Sequence, residues 1–153
     1  MRIEEVLKES CVIDSLKGKT KRDILFELVG VLKGADLIDD VEKVVDIILD
    51  REKLGSTGIG DGVAIPHGKM KGMHSFLCVF GRSLEGVDFD AVDRKPVHIF
   101  FLLLAPEDSV SLHLKMLSRI SKILRDPSFR KRLIDIPDSR GIYKDIIEED
   151  NKG

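Results

Sequence analysis

The segment Arg51-Glu52-Lys53-Leu54-Gly55-Ser56-Thr57-Gly58-Ile59-Gly60-Asp61-Gly62-Val63-Ala64-Ile65-Pro66-His67-Gly68-Lys69 holds more chemistry than a hydrophobic core requires. Glycines stand at 55, 58, 60 and 62. Such a run loses backbone entropy on folding, so it marks a place where positive φ or close backbone approach is needed. Amide groups exposed in a loop of this kind can converge on an anion. Nucleotide-binding patterns do not fit it. The G-x-x-x-x-G-K-[ST] loop fails because Val63 stands at its first glycine and Met70 at its hydroxyl. The G-x-G-x-x-G pattern fails because Val63 takes its last position after Gly58 and Gly60. What is left is a histidine, His67, between a rigid proline and a glycine, directly after an anion-tolerant loop.

Neutral imidazole is nucleophilic at pH 7 and suits covalent carriage of a phosphoryl group. Transfer of that group asks for alignment and for positive charge around its equatorial oxygens. An arginine supplies the charge through a planar fork, which a lysine lacks. At ~4 Å and an effective dielectric near 20, one such charge is worth roughly 4 kcal/mol, about a thousandfold in rate if felt only in the transition state.

The run from Arg51 to Lys69 resembles the signature of the phosphotransferase-system IIA domains of the mannitol/fructose class, most strongly their nitrogen-regulatory branch. The resemblance extends more loosely over nearly the whole chain. It takes in Phe89-Asp90-Ala91-Val92-Asp93 and the helix around His113-Leu114. It implies that His67 is the phosphorylated histidine, that Arg51 contacts the phosphoryl group, and that His113 is a second active-site histidine. His113 would donate a hydrogen bond or orient the imidazole. Ser56 and Thr57 either add hydroxyl or amide donors to the phosphate or are simply turn residues. Asp61 stands where many members carry Asn, adding negative charge near the site.

On this resemblance the chain is a phosphotransferase working through a phosphohistidine. An HPr-like phosphocarrier is the donor, and a IIB component of fructose- or mannitol-type sugar uptake is the acceptor. The alternative is a nitrogen-regulatory module that binds target proteins and uses His67 phosphorylation as a switch. No organic cofactor is required, nor an obligatory Mg²⁺, because the donor is a phosphoprotein.

The other histidines carry less. From its neighbours Leu112, Leu114 and Met116, His113 reads as a core-boundary residue, and only the resemblance moves it into the site. His98 reads as a strand residue and His74 as an exposed loop residue. A zinc site is disfavoured, since neither H-E-x-x-H nor paired C-x-x-C occurs. Cys11 and Cys78 are too few for a disulfide scaffold and read as buried thiols in a reducing compartment.

The elements that must position these residues follow from pattern and punctuation. A chain of 153 residues with 42 % hydrophobic and 34 % charged content predicts a single soluble domain spanning 1–153. The formal charge of −2 gives no general attraction for nucleic acid. The basic stretch Arg119, Lys122, Arg125, Arg130, Lys131, Arg132 reads as the solvated face of two helices. The acidic N-terminus is no signal peptide, and the apolar run Val97–Ala105 is too short for a membrane helix, so a cytoplasmic protein without membrane insertion is expected.

Ile3, Val6 and Leu7 predict a short opening helix to about Ser10, followed by a brief strand at Cys11–Ile13. Thr20 caps a helix ending near Gly34, and Asp39 or Asp40 opens another that brings Arg51 to its C-terminal end. Val63–Ile65 is extended, partly because Pro66 disfavours helical angles before it. Residues 75–81 and 96–104 are predicted strands. Leu112 to Leu124 is helical, Asp126-Pro127 starts a further helix, and a last one begins at Asp138 with a frayed tail over 148–153. The alternation predicts an α/β fold, a central mixed β-sheet flanked by helices.

Overall fold

In the computed structural model, residues 1–152 are described. The helix starts expected at Thr20, at Asp39 or Asp40, and at Asp126 hold at the atomic level. Thr20 Oγ1 accepts the Asp23 amide at 3.1 Å and opens α1, Lys21–Gly34. Asp40 Oδ1 accepts the Lys43 amide at 3.2 Å and opens α2, Val41–Glu52. Each satisfies an amide that the helix leaves without an internal partner. Downstream, α3 spans Val110–Leu124, α4 Pro127–Asp135 and α5 Ser139–Lys152. Asp126 caps α4 through the Ser128 amide at 2.9 Å, with Pro127 at its first position.

Six strands form one mixed sheet: β1 Leu7–Ile13, β2 Gly58–Gly60, β3 Val63–Ala64, β4 His67–Met70, β5 Leu77–Val87 and β6 Val97–Pro106. The order is β1-β5-β6-β3-β2. β4 pairs with β6 parallel, further along that strand than β3 does. β6 is buried along nearly every residue and β5 from Leu77 to Ser83, and successive residues point to opposite faces, so helices cover both sides of the sheet there. The expected single α/β domain with a mixed sheet is what the chain forms.

Two expectations about the ends are corrected. Only Ile3–Glu5 is helical, as a 3-10 turn, and Leu7 already belongs to β1, paired parallel to β5. At the other end α5 continues to Lys152 rather than fraying from Glu148; Gly153 lies outside the described residues. The cause is Asp150, which is 3 % exposed. Its carboxylate accepts the Ile3 amide at 2.8 Å and pairs with Arg119 of α3, fastening both ends of the chain to one another. Part of the basic stretch is thereby used internally. Arg119 meets Asp150, Arg132 meets Asp145 and Glu149, and Arg130 donates to the Leu124 and Arg125 carbonyls that end α3.

Arg82 on β5 is buried with carbonyl partners. It donates to Asp14 at 2.8 Å, to Leu133 at 3.0 Å and to Ile136, so its charge faces the negative end of α4. Cys11 and Cys78 are buried free thiols, and burial raises the pKa of both. Among the described residues no helix is long and apolar enough to cross a membrane.

Candidate functional site

His67 opens β4, a strand wedged beneath α2. Gly68 explains how close that approach is. A Cβ at this position would stand 2.9 Å from Ile47 Cγ2 of α2, so no larger residue fits without displacement. The Pro66 carbonyl accepts the Leu103 amide at 3.0 Å, which continues the pairing with β6 up to the histidine. His67 Nδ1 lies 2.8 Å from the Ile65 carbonyl oxygen. A carbonyl can only accept, so Nδ1 carries the hydrogen and Nε2 keeps its lone pair free.

That ring stands edge-on to His113 of α3, with centroids 5.4 Å apart and planes at 82°. Both line a cleft of about 560 Å³ together with Arg51, Lys69, Leu54 and Leu114. Three elements therefore converge: the end of α2 with Arg51, the start of β4 with His67 and Lys69, and the first turns of α3 with His113. Arg51 Nη1 donates to the Gly55 carbonyl at 2.9 Å, leaving further N–H groups of the fork available to an anion.

Electrostatics favour neutral rings. Burial lowers the His67 pKa below the usual histidine value of 6.5, and Arg51 and Lys69 push the same way against the Ile65 bond and Glu52. His113 is pushed down to about 4, by burial first, then by His67 and Lys69. Its Nε2 is a buried atom without a hydrogen-bond partner, so protonation there would strand a charged N–H. At pH 7 the cleft thus presents a nucleophilic nitrogen, a second neutral imidazole and two cations.

This sequence and geometry match a known family. Residues 5–149 match the model for the phosphoenolpyruvate-dependent sugar phosphotransferase system, EIIA 2. The chain belongs to this family. A nitrogen regulatory protein of Bradyrhizobium diazoefficiens is 40 % identical over 144 residues, covering 94 % of this chain and 93 % of that protein. The fructose-specific EIIABC component of Bacillus subtilis is 36 % identical over 152 residues, which are 99 % of this chain but 24 % of that longer protein. The crystal structure of the nitrogen regulatory protein IIA-Ntr from Neisseria meningitidis superposes with a TM-score of 0.87 at 34 % identity, covering 94 % of this chain and 98 % of that one. The expected likeness to the nitrogen-regulatory branch is therefore met.

Within this IIA domain, the residues chosen from sequence separate into two groups. His67, Arg51 and His113 share the cleft. Ser56 and Thr57 do not line it, and their hydroxyls bond other parts of the protein. Ser56 Oγ donates to the Phe89 carbonyl at 2.7 Å, and Thr57 Oγ1 donates to the Glu52 carboxylate. The Ser56 bond joins the glycine-rich loop to the loop after β5, as does the Val92 amide donating to the Gly58 carbonyl at 3.0 Å, while the Thr57 bond ties it to the end of α2. The Phe89–Asp93 block is thus the clamp on the glycine-rich loop.

Asp61 is not near the site either. It occupies the β2–β3 turn at φ 57°, a conformation Asp and Asn tolerate, and its amide donates to Asp93 at 3.2 Å. Val63 pairs with Ile99 and His67 with Leu103, so four residues of β6, roughly 13 Å at 3.3 Å each, separate even Val63 from the histidine. His98 bonds the Ser83 carbonyl through Nδ1 at 2.9 Å, and His74 is exposed in a loop, so neither joins the site.

Sequence reasoning gave no role to Lys69, Glu52 or Lys21. Lys69 follows His67 by two residues on a strand and so shares its face, a signal available from spacing alone. Nothing in the sequence marks Glu52 as buried.

Proposed function

We propose that this IIA domain accepts a phosphoryl group on Nε2 of His67 from an HPr-like phosphocarrier and passes it to a IIB component. The observation that carries the reading is the His67 tautomer. With Nδ1–H committed to the Ile65 carbonyl, Nε2 faces the reaction with a lone pair and no proton to remove. That lone pair forms the new N–P bond while the donor's N–P bond breaks, and the electron pair returns to the donor's imidazole nitrogen. No general base is needed. The Arg51 fork and the Lys69 ammonium offset the charge on the three equatorial oxygens. His113 adds a neutral ring that can donate to a phosphoryl oxygen without repelling Arg51.

A protein donor suits the surroundings of the cleft. Leu54, Val110 and Leu114 are 84 %, 50 % and 63 % exposed around it, an apolar rim that a small metabolite would leave uncovered. The second reading is a regulatory switch, in which phosphorylation of His67 alters this same rim for a target protein. Its support is the 40 % identity to a nitrogen regulatory protein along nearly the full length of both chains.

Intact-mass analysis after incubation with phosphoenolpyruvate and the general phosphocarriers tests the carrier step. One phosphoryl group is expected in the parent, acid-labile and absent from His67→Ala. Undiminished labelling of that variant, or an acid-stable phosphate, refutes it. Rapid loss to a cognate IIB protein distinguishes a transport relay from a switch that keeps its phosphate until the target is met.

A further inference from the structure

We infer that Glu52, held by Lys21, is the positioning residue that sets His67 and Arg51 in register with one another through Thr57. The inference rests on the phosphoryl-carrier reading and assigns roles to residues that touch no reacting atom. Arg51 and Glu52 are neighbours at the end of α2, yet their side chains part. Arg51 enters the His67 cleft, and Glu52 turns the other way, its side chain only 3 % exposed. A buried carboxylate is unfavourable unless paired and fully hydrogen-bonded. Glu52 meets that demand with Lys21 Nζ at 2.8 Å, the Thr57 amide at 3.2 and 3.3 Å, and the Thr57 hydroxyl.

Two arms leave Thr57. Along the first, the Thr57 carbonyl accepts the Ile65 amide at 3.0 Å, and the Ile65 carbonyl accepts the His67 Nδ1–H at 2.8 Å. The position of Glu52 is thereby transmitted to the ring that must present Nε2. The second arm runs back along the chain. Anchoring Thr57 to Glu52 closes the loop between them, and the Gly55 carbonyl at its crest receives Arg51 Nη1 at 2.9 Å. Nucleophile and cation are thus fixed from one carboxylate.

Lys21 braces the assembly from α1. Its ammonium lies 4.6 Å from the centroid of the Phe89 ring and 3.6 Å from Asp90, and the Phe89 carbonyl holds Ser56. Electrostatics agree with the geometry, since the Glu52 charge reaches the His67 ring and opposes Arg51 and Lys69 there.

The test uses Thr57→Val, which keeps shape and loses the hydroxyl, Thr57→Ser, which restores it, and Lys21→Met on the face away from the cleft. Long-range ¹H–¹⁵N spectra report the His67 tautomer in each unphosphorylated protein. The Nδ1–H form should dominate in the parent and Thr57→Ser, and the Nε2–H form should gain population in Thr57→Val and Lys21→Met. Phosphoryl acceptance should fall roughly tenfold to a hundredfold in those two variants, the scale for a reacting group misplaced by about an ångström. In an Arg51→Ala background the second arm has nothing left to position, so the same substitutions should slow acceptance less than they do in the parent.

A tautomer unchanged in folded Thr57→Val, or rate losses that multiply independently of Arg51, overturns the inference. If Thr57→Val fails to fold, Lys21→Met carries the same readouts. A parent that takes no phosphate refutes the carrier reading, while the tautomer spectra still decide this one.

Discussion

Acid should destabilise the parent protein more steeply than a His113→Gln variant, by an amount set by the burial of that ring. His113 is 4 % exposed, and its pKa is pushed down to about 4 from 6.5. Because the folded value is depressed, the unfolded chain takes up the proton first as the pH falls. This contribution is fully present above about 6.5, is lost between 6.5 and about 4, and stops changing below that. At ~1.4 kcal/mol per pH unit the whole window is worth ~3 kcal/mol, and about 2 kcal/mol of it is gone by about pH 4.5. Comparing parent with variant cancels what the two proteins share and leaves the contribution of His113, its coupling to His67 included.

Urea unfolding at about pH 7 and about pH 4.5, with m-values compared, measures it. The parent should lose about 2 kcal/mol more than His113→Gln across that interval. Equal losses would show that the ring is not held neutral by burial. A His113 titration midpoint near 6.5 by NMR would refute the same reasoning directly.

Four further outcomes are expected. Arg51→Lys retains the charge and loses the fork, so phosphoryl acceptance by rapid quench should slow by roughly tenfold or more while the thermal transition stays put. Asp150→Ala removes the acceptor of the Ile3 amide and strands Arg119, and chemical denaturation should show a loss of about 3 kcal/mol; a loss under about 0.5 kcal/mol would mean that the last turn of α5 is frayed after all. Gly58→Ala puts a Cβ 2.9 Å from the Ala91 backbone and should cost about 1–3 kcal/mol and slow acceptance. Gly30→Ala on α1, where a Cβ would meet no atom within 4 Å beyond its own stretch of helix backbone, should instead stabilise by about 0.5–1 kcal/mol.

The helix starts were legible because a cap is local chemistry. Thr20, Asp40 and Asp126 each bond an amide two or three residues on, and a sequence shows such pairs side by side. What the sequence hides is pairing between distant segments. Ile3, Val6 and Leu7 have helical spacing, yet β1 wins there because Leu7 meets Cys78 across the sheet. A register shift between Leu7 and Val12 also erases the alternation that would have revealed the strand. β4 is four residues long, includes a glycine, and exists through its partner β6. The last turn of α5 looks like a solvated acidic tail, and only its bonds to Ile3 and Arg119 make Asp150 a buried anchor.

The site divides along the same line, and the division changes what the glycine-rich loop is for. From sequence its amides looked ready for an external anion. In the structure they meet the protein's own acceptors: the Thr57 amide faces Glu52, the Asp61 amide faces Asp93, and the Gly58 amide faces the Ser56 hydroxyl. Gly58 is required by the close approach of Ala91, whereas Gly60 and Gly62 adopt φ of 97° and 77° around the β2–β3 turn. The loop therefore acts as a splint, with the amides of Thr57, Gly58 and Asp61 bonded within the protein. On the proposed carrier reading, the charge on a phosphoryl group falls to the side chains the splint presents, Arg51 before it and His67 and Lys69 after it. A contiguous motif could reveal those residues because the splint joins them in sequence. It could not reveal Lys21, which arrives from α1 and reaches the site only through Glu52.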